Sequence, residues 1–77
     1  ALHEESLELR RQLGSKAAIA HSLYNLGLAA HLEGDYESAE TRLLEALALF
    51  RELGDVLGVA DSLNDLGRLP QVRRDWQ

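Results

Sequence analysis

Three histidines, His3, His21 and His31, are the residues of this chain best suited to metal or proton chemistry, and their spacing serves neither. No two stand at i and i+4, and no His-Glu-x-x-His pattern occurs. A zinc site needs ligands that share a face and converge at about 2 Å on one ion. The histidines therefore read as solvated or groove-edge side chains. Carboxylates are plentiful, densest at Glu4-Glu5 and from Glu33 to Glu40. Paired carboxylates do acid–base work when a pocket drives their pKa values apart; on the polar faces of helices they are solvated surface. Ser22 and Ser62 have no histidine at a spacing that would make either a nucleophile. The six glycines sit at helix ends or helix-packing positions, so no phosphate-binding loop exists, and without cysteine there is neither a disulfide nor a thiolate metal site. The expectation is a chain with no catalytic residue, no metal and no cofactor.

Charge narrows the partners. A formal net charge of −5 and a pI near 5.0 offer no attractive field to phosphates. The one basic cluster, Arg68, Arg73 and Arg74, is diluted by Asp75 and reads as a solvated helix end. Nucleic acid is not expected. No signal peptide or long apolar run is present, so the chain reads as cytoplasmic, with no membrane partner. It does not start with Met, which suggests an excerpt of a longer chain, although processing leaves the same start.

The elements that position these residues repeat. Leu13-Gly14, Ala20, Ser22-Leu23 and Leu26-Gly27 return 40 residues on as Leu53-Gly54, Ala60, Ser62-Leu63 and Leu66-Gly67. A fixed period in this range marks stacked units that bury their apolar faces only against one another. Gly14, Gly34 and Gly54 each stand where a helix would end in a left-handed residue, and Ser15, Asp35 and Asp55 follow as N-caps. This punctuation predicts helices over about 2–13, 16–33, 36–53 and 56–68. Their apolar stripes are Ile19, Ala20, Leu23, Leu26, Gly27 and Ala30 in the second helix. In the third they are Tyr36, Ala39, Leu43, Ala46, Leu47, Phe50 and Leu53, and in the fourth Val56, Val59, Ala60, Leu63, Leu66 and Gly67. No segment alternates as a strand does. Two-residue connections between such helices imply antiparallel neighbours. Pro70 occupies the register of Ala30 and predicts a stop or kink near Arg68 or Leu69. Asp75-Trp76, in the register of Asp35-Tyr36, reads as the start of a further helix.

Leu23, Leu26-Gly27, Gly34-Asp35-Tyr36, Ala39, Leu43 and Ala46 together resemble the tetratricopeptide repeat. A helical repeat of the HEAT type has a similar period, but the Gly-Asp-Tyr turn favours the former. At 40 residues the unit exceeds that family's usual ~34. It resembles the longer repeats of kinesin light chains, spindle-orientation scaffolds and multidomain bacterial regulators. The resemblance implies an all-α fold of antiparallel helical hairpins, a fragment of an α-solenoid. Residues 1–14 would be the second helix of an incomplete preceding repeat, 15–54 one complete helix-turn-helix unit, and 55–77 the first helix of the next repeat plus a tail. Two positions depart from the pattern: His3 stands where Leu43 does and Arg10 where Phe50 does, which weakens the core face of the first segment.

The resemblance further implies that the first helix of each pair lines a concave groove. On 16–33 the groove residues would be His21, Tyr24, Asn25, Leu28 and His31; on the next unit Asp61, Asn64, Asp65 and Arg68. Asn25 matches the family position whose amide hydrogen-bonds the backbone of an extended peptide. Its counterpart Asp65 keeps acceptors and loses the donors. Asn25 reads equally as a polar residue satisfied by a neighbouring helix or water, and Tyr24 and Leu28 as inter-repeat contacts. The functional expectation is a protein-interaction module, part of a larger scaffold or regulator, that holds a partner's peptide or helix in its groove. The alternative is a self-associating structural module whose exposed repeat ends pair with a second copy. A third reading is a spacer.

Overall fold

Gly34 and Gly54 close the two turns through the same local chemistry. Both adopt left-handed backbone, with φ of 83° and 71°, a region that glycine enters without a Cβ penalty. At the first turn, Gly34 N–H donates to His31 O and Asp35 N–H to Ala30 O; at the second, Gly54 N–H donates to Arg51 O and Asp55 N–H to Phe50 O. Each pair satisfies carbonyls that a helix end leaves open. The aspartates then start the next helix: Asp35 accepts from Ser38 N–H at 3.2 Å and Asp55 from Gly58 N–H at 3.0 Å.

The computed structural model describes residues 2–70, with side chains from Gly14 onward. Three helices fill that span: α1 (Leu2–Leu32), α2 (Tyr36–Leu53) and α3 (Val56–Arg68). α1 and α2 are antiparallel, since Lys16 pairs with Glu52 at 3.5 Å near one end and the His31 ring lies 5.7 Å from Tyr36 at the other. α3 returns along α2. The fold is the expected all-α array of helical hairpins.

One expected turn is not there. α1 runs unbroken through Gly14 and Ser15, and Gly14 is not among the left-handed glycines. A glycine inside a helix costs about 1 kcal/mol relative to alanine. A turn at Gly14 would instead fold 2–13 back with His3 and Arg10 in the register where α2 places Leu43 and Phe50. Both of those α2 residues are buried. Placing an imidazole and a guanidinium there costs more than one helical glycine, so the helix continues.

α2 forms the spine, and its stripe is the one anticipated. Ala39, Leu43, Ala46, Leu47 and Phe50 are all buried. Two clusters cover it. Leu66 and Leu69 close over Ala39, Leu43 and Leu47, while Ala20 closes over Ala46 and Phe50; Tyr24 and Val59 touch both clusters. The stripes of α1 and α3 differ from expectation in which side is buried. In α1, Ala20 and Gly27 are buried while Ile19 and Leu26 are about half exposed, at 52% and 54%. In α3 the counterparts reverse: Leu66 is buried and Ala60 and Gly67 are exposed. Val56 is exposed as well, and Gly58, Ser62 and Asp65 are buried in its place. α1 packs on α2 through its small residues, and α3 packs on α2 through the adjacent face.

α3 ends at Arg68, with Leu69 at φ −72° and ψ 129°. The ring of Pro70 forces the preceding residue out of helical backbone, as the sequence predicted. Asp75-Trp76 lies outside the described residues.

Candidate functional site

α1 and α3 face each other across one side of α2, and a side-chain hydrogen bond ties them. The Tyr24 hydroxyl donates to Oδ2 of Asp65, the two residues lying 41 apart in sequence. Asp65 is nearly enclosed, its side chain 10% exposed, and Arg68 Nη1 approaches its other oxygen at 3.9 Å from solvent. Burial, the bond to Asp65 and the charges of Asp65 and Asp61 push Tyr24 up to about 12, against a smaller downward pull from Arg68. The phenol stays neutral and donating at neutral pH.

Beside this tie lies a pocket of about 280 Å³. Phe50 forms its floor. The rings of His21 and Tyr24 stand against Phe50 in edge-to-face contacts, with centroids 5.2 and 6.5 Å away. The far wall is the first turns of α3: Asp55, Leu57, Gly58 and Asp61. Gly58 is required for this closeness, because a Cβ there would run into the Phe50 ring.

Of the expected groove residues, the structure brings His21, Tyr24 and Asp61 to the pocket, with Asp65 and Arg68 behind it. Asn25 and Asn64 are exposed, Leu28 is half-buried, and none of the three lines the pocket. His31 sits against Tyr36 at the far end of α1. Asp65, expected as an open groove acceptor, is buried and engaged by Tyr24. The α3 counterparts of Ser22, Asn25, Leu26 and Ala29 are Ser62, Asp65, Leu66 and Leu69, and all four are buried. Position 25 of the repeat thus belongs to a face that α3 uses for packing.

Sequence reasoning did not assign Phe50, Asp55, Leu57 or Gly58 to the site. Leu57 carried a signal, as an apolar residue off the helical stripe; it is 77% exposed. Among the described residues no group of three or more His, Cys, Asp or Glu converges as a metal site would. Ser62 Oγ is buried and has no hydrogen-bond partner among the described residues. No helix among the described residues is long and apolar enough to cross a membrane.

The sequence model of the tetratricopeptide repeat matches the chain twice, over residues 1–52 and over residues 19–75. No curated protein and no solved structure matches it. The two matched segments take in all three helices, the Gly-Asp turns between them and the small-residue contact of Gly27 on Leu43, and with that coverage the chain belongs to the tetratricopeptide repeat family.

Proposed function

We propose that the groove between α1 and α3 binds a peptide or helix of a partner protein, within a larger cytoplasmic scaffold or regulator. Repeats of this family mediate protein–protein interaction. The observation that carries the reading is the Tyr24–Asp65 tie beside an open pocket, which fixes the spacing of the two walls before any ligand arrives. A pre-set surface loses less freedom on binding than one that must form around its ligand. His21, Asn25, Leu28 and His31 would line the α1 wall and Asp61, Asn64 and Arg68 the α3 wall. Tyr24 and Asp65 would hold the walls apart. In this reading 15–54 is one complete repeat, 1–14 belongs to a preceding unit and 55–77 to a following one.

The test starts from a partner captured by the intact parent protein, with its affinity then measured by calorimetry. Asn25→Ala and Asn64→Ala each remove an exposed amide, and losing one or two such hydrogen bonds costs about 1–3 kcal/mol. Binding should weaken about 5- to 100-fold. Glu45→Ala, on the outer face of α2, should change it less than about twofold. Unchanged affinity in both asparagine variants, with the fold intact, refutes the groove.

Self-association is the second reading, and the exposed end faces favour it. Ile19 and Leu26 present on α1 the face whose counterpart α3 buries, and Val56 is 78% exposed. A chain that pairs these faces shows a mass that rises with concentration in sedimentation. A single monomeric mass up to high concentration removes this reading.

A further inference from the structure

We propose that the pocket at the head of the groove accepts one arginine side chain of the bound segment. The proposal rests on the groove being the binding surface and names what part of it reads. Ion pairs among the described residues join Lys16 to Glu52, Arg42 to Glu45 and Arg68 to Asp65. None engages Asp55 or Asp61, the two carboxylates of the pocket wall. Asp55 spends Oδ1 on the Gly58 amide and keeps Oδ2; Asp61 is exposed. The positive end of α3 lies here and opposes a cation, but it amounts to about half a charge, against two carboxylates.

The remaining walls suit an aliphatic stem that ends in a planar cation. Leu57 stands uncovered at the lip, where methylene groups can lie against it while the charged head goes further in. The half-buried ring of Tyr24 offers aromatic surface, on which guanidinium stacks better than ammonium. A guanidinium can also reach two carboxylates at once through its fork of donors. The upward displacement of the Tyr24 phenol comes first from burial, and the negative charges of Asp65 and Asp61 at the same place add to it. Size agrees: about 280 Å³ is just below the roughly 300–1,000 Å³ of sites that enclose whole small ligands, and suits one long side chain. An apolar side chain would cover the carboxylates without pairing them, and an acidic one would be repelled.

The probe is the capped pentapeptide Ala-Ala-Arg-Ala-Ala, titrated into the 77-residue chain and followed by amide NMR shifts. Its control carries citrulline, the neutral isostere of arginine. The Arg peptide should shift the Leu57, Gly58 and Asp61 amides saturably, with at least fivefold tighter binding than the citrulline peptide. Asp61→Asn, at an exposed position, should weaken the Arg peptide at least threefold and leave the citrulline peptide unchanged. Equal binding of the two peptides, no saturable shift, or indifference to Asp61→Asn overturns the proposal. A captured partner that loses affinity with Asn64→Ala but not with Asp61→Asn sinks the arginine reading and leaves the groove standing. Indifference to both sinks both.

Discussion

Gly27 and Gly67 occupy the same position one repeat apart, and replacing each by alanine should move stability in opposite directions. A Cβ on Gly27 would meet Leu43 Cγ at 2.8 Å and Cδ2 at 3.0 Å, with the Ala39 carbonyl oxygen at 3.4 Å. Carbon atoms pack best at about 3.5–4.0 Å, so α1 and α2 must separate by most of an ångström or Leu43 must leave its rotamer. Leu43 is fully buried within the cluster of Ala39, Leu47 and Leu66 and has little room to give. Overpacking of this kind costs about 1–3 kcal/mol, and the higher helix propensity of alanine returns up to about 1. The net expectation for Gly27→Ala is a loss of about 1–2 kcal/mol. At Gly67 a Cβ meets nothing within 4 Å among the described residues, so the propensity gain dominates, reduced to roughly 0.3–0.8 kcal/mol because the residue lies in the last turn of α3. Thermal unfolding followed by circular dichroism, at matched concentrations, separates the two. For a chain of this size 1 kcal/mol moves Tm by about 4–8 °C. Gly27→Ala should fall by roughly 4–16 °C and Gly67→Ala should rise by a few degrees. If both rise alike, α1 does not meet α2 through Gly27, and the packing described above is wrong.

Gly14→Ala should raise helicity and stability by up to about 1 kcal/mol, because α1 is continuous there and a Cβ has open space; a loss would mean a left-handed turn at Gly14, and backbone Cα shifts decide between them. Tyr24→Phe leaves buried Asp65 without its donor and should cost about 1–3 kcal/mol in urea unfolding. Because folding raises the Tyr24 pKa from 10.0 to about 12, the folded state holds this proton more tightly than the unfolded chain. That contribution is complete below pH 10 and is lost as pH rises towards 12. Phenolate absorbance should show a late-titrating component that Tyr24→Phe removes. Ser62→Ala deletes a buried hydroxyl with no partner among the described residues and should be neutral or stabilising by up to about 1 kcal/mol, whereas a clear destabilisation would show that the hydroxyl is bonded.

The pocket was only partly legible beforehand. His21, Tyr24 and Asp61 flank the apolar stripes, and the resemblance to the repeat family implied that this flank faces the groove. Phe50 could not be assigned to the site, because its stripe position announces burial and says nothing about which rings stand against it. Asp55 was legible as a helix cap, a local role, while its place in the pocket wall depends on α3 lying across Phe50. The Tyr24–Asp65 bond spans 41 residues and joins two positions that are not register equivalents. Nothing local could have paired them.

Local chemistry by itself determined the Gly-Asp turns, the stop before Pro70 and the stripe of α2. Backbone freedom, capping and ring sterics act within a few residues, and α2 is enclosed by neighbours on both sides whatever their rotation. The sequence could not determine which face of a first helix is buried, because α1 and α3 carry nearly the same stripe. Ile19 and Leu26 stay exposed while Leu66 is enclosed, and Gly27 is enclosed while Gly67 is open. Each repeat offers two adjacent apolar faces, and burial comes only from the helix that lies against one of them. The tertiary structure also decided the fate of Gly14. A glycine makes a turn only where the helices on its two sides gain enough by packing together, and 2–13, with His3 and Arg10 in the core register, does not supply that gain.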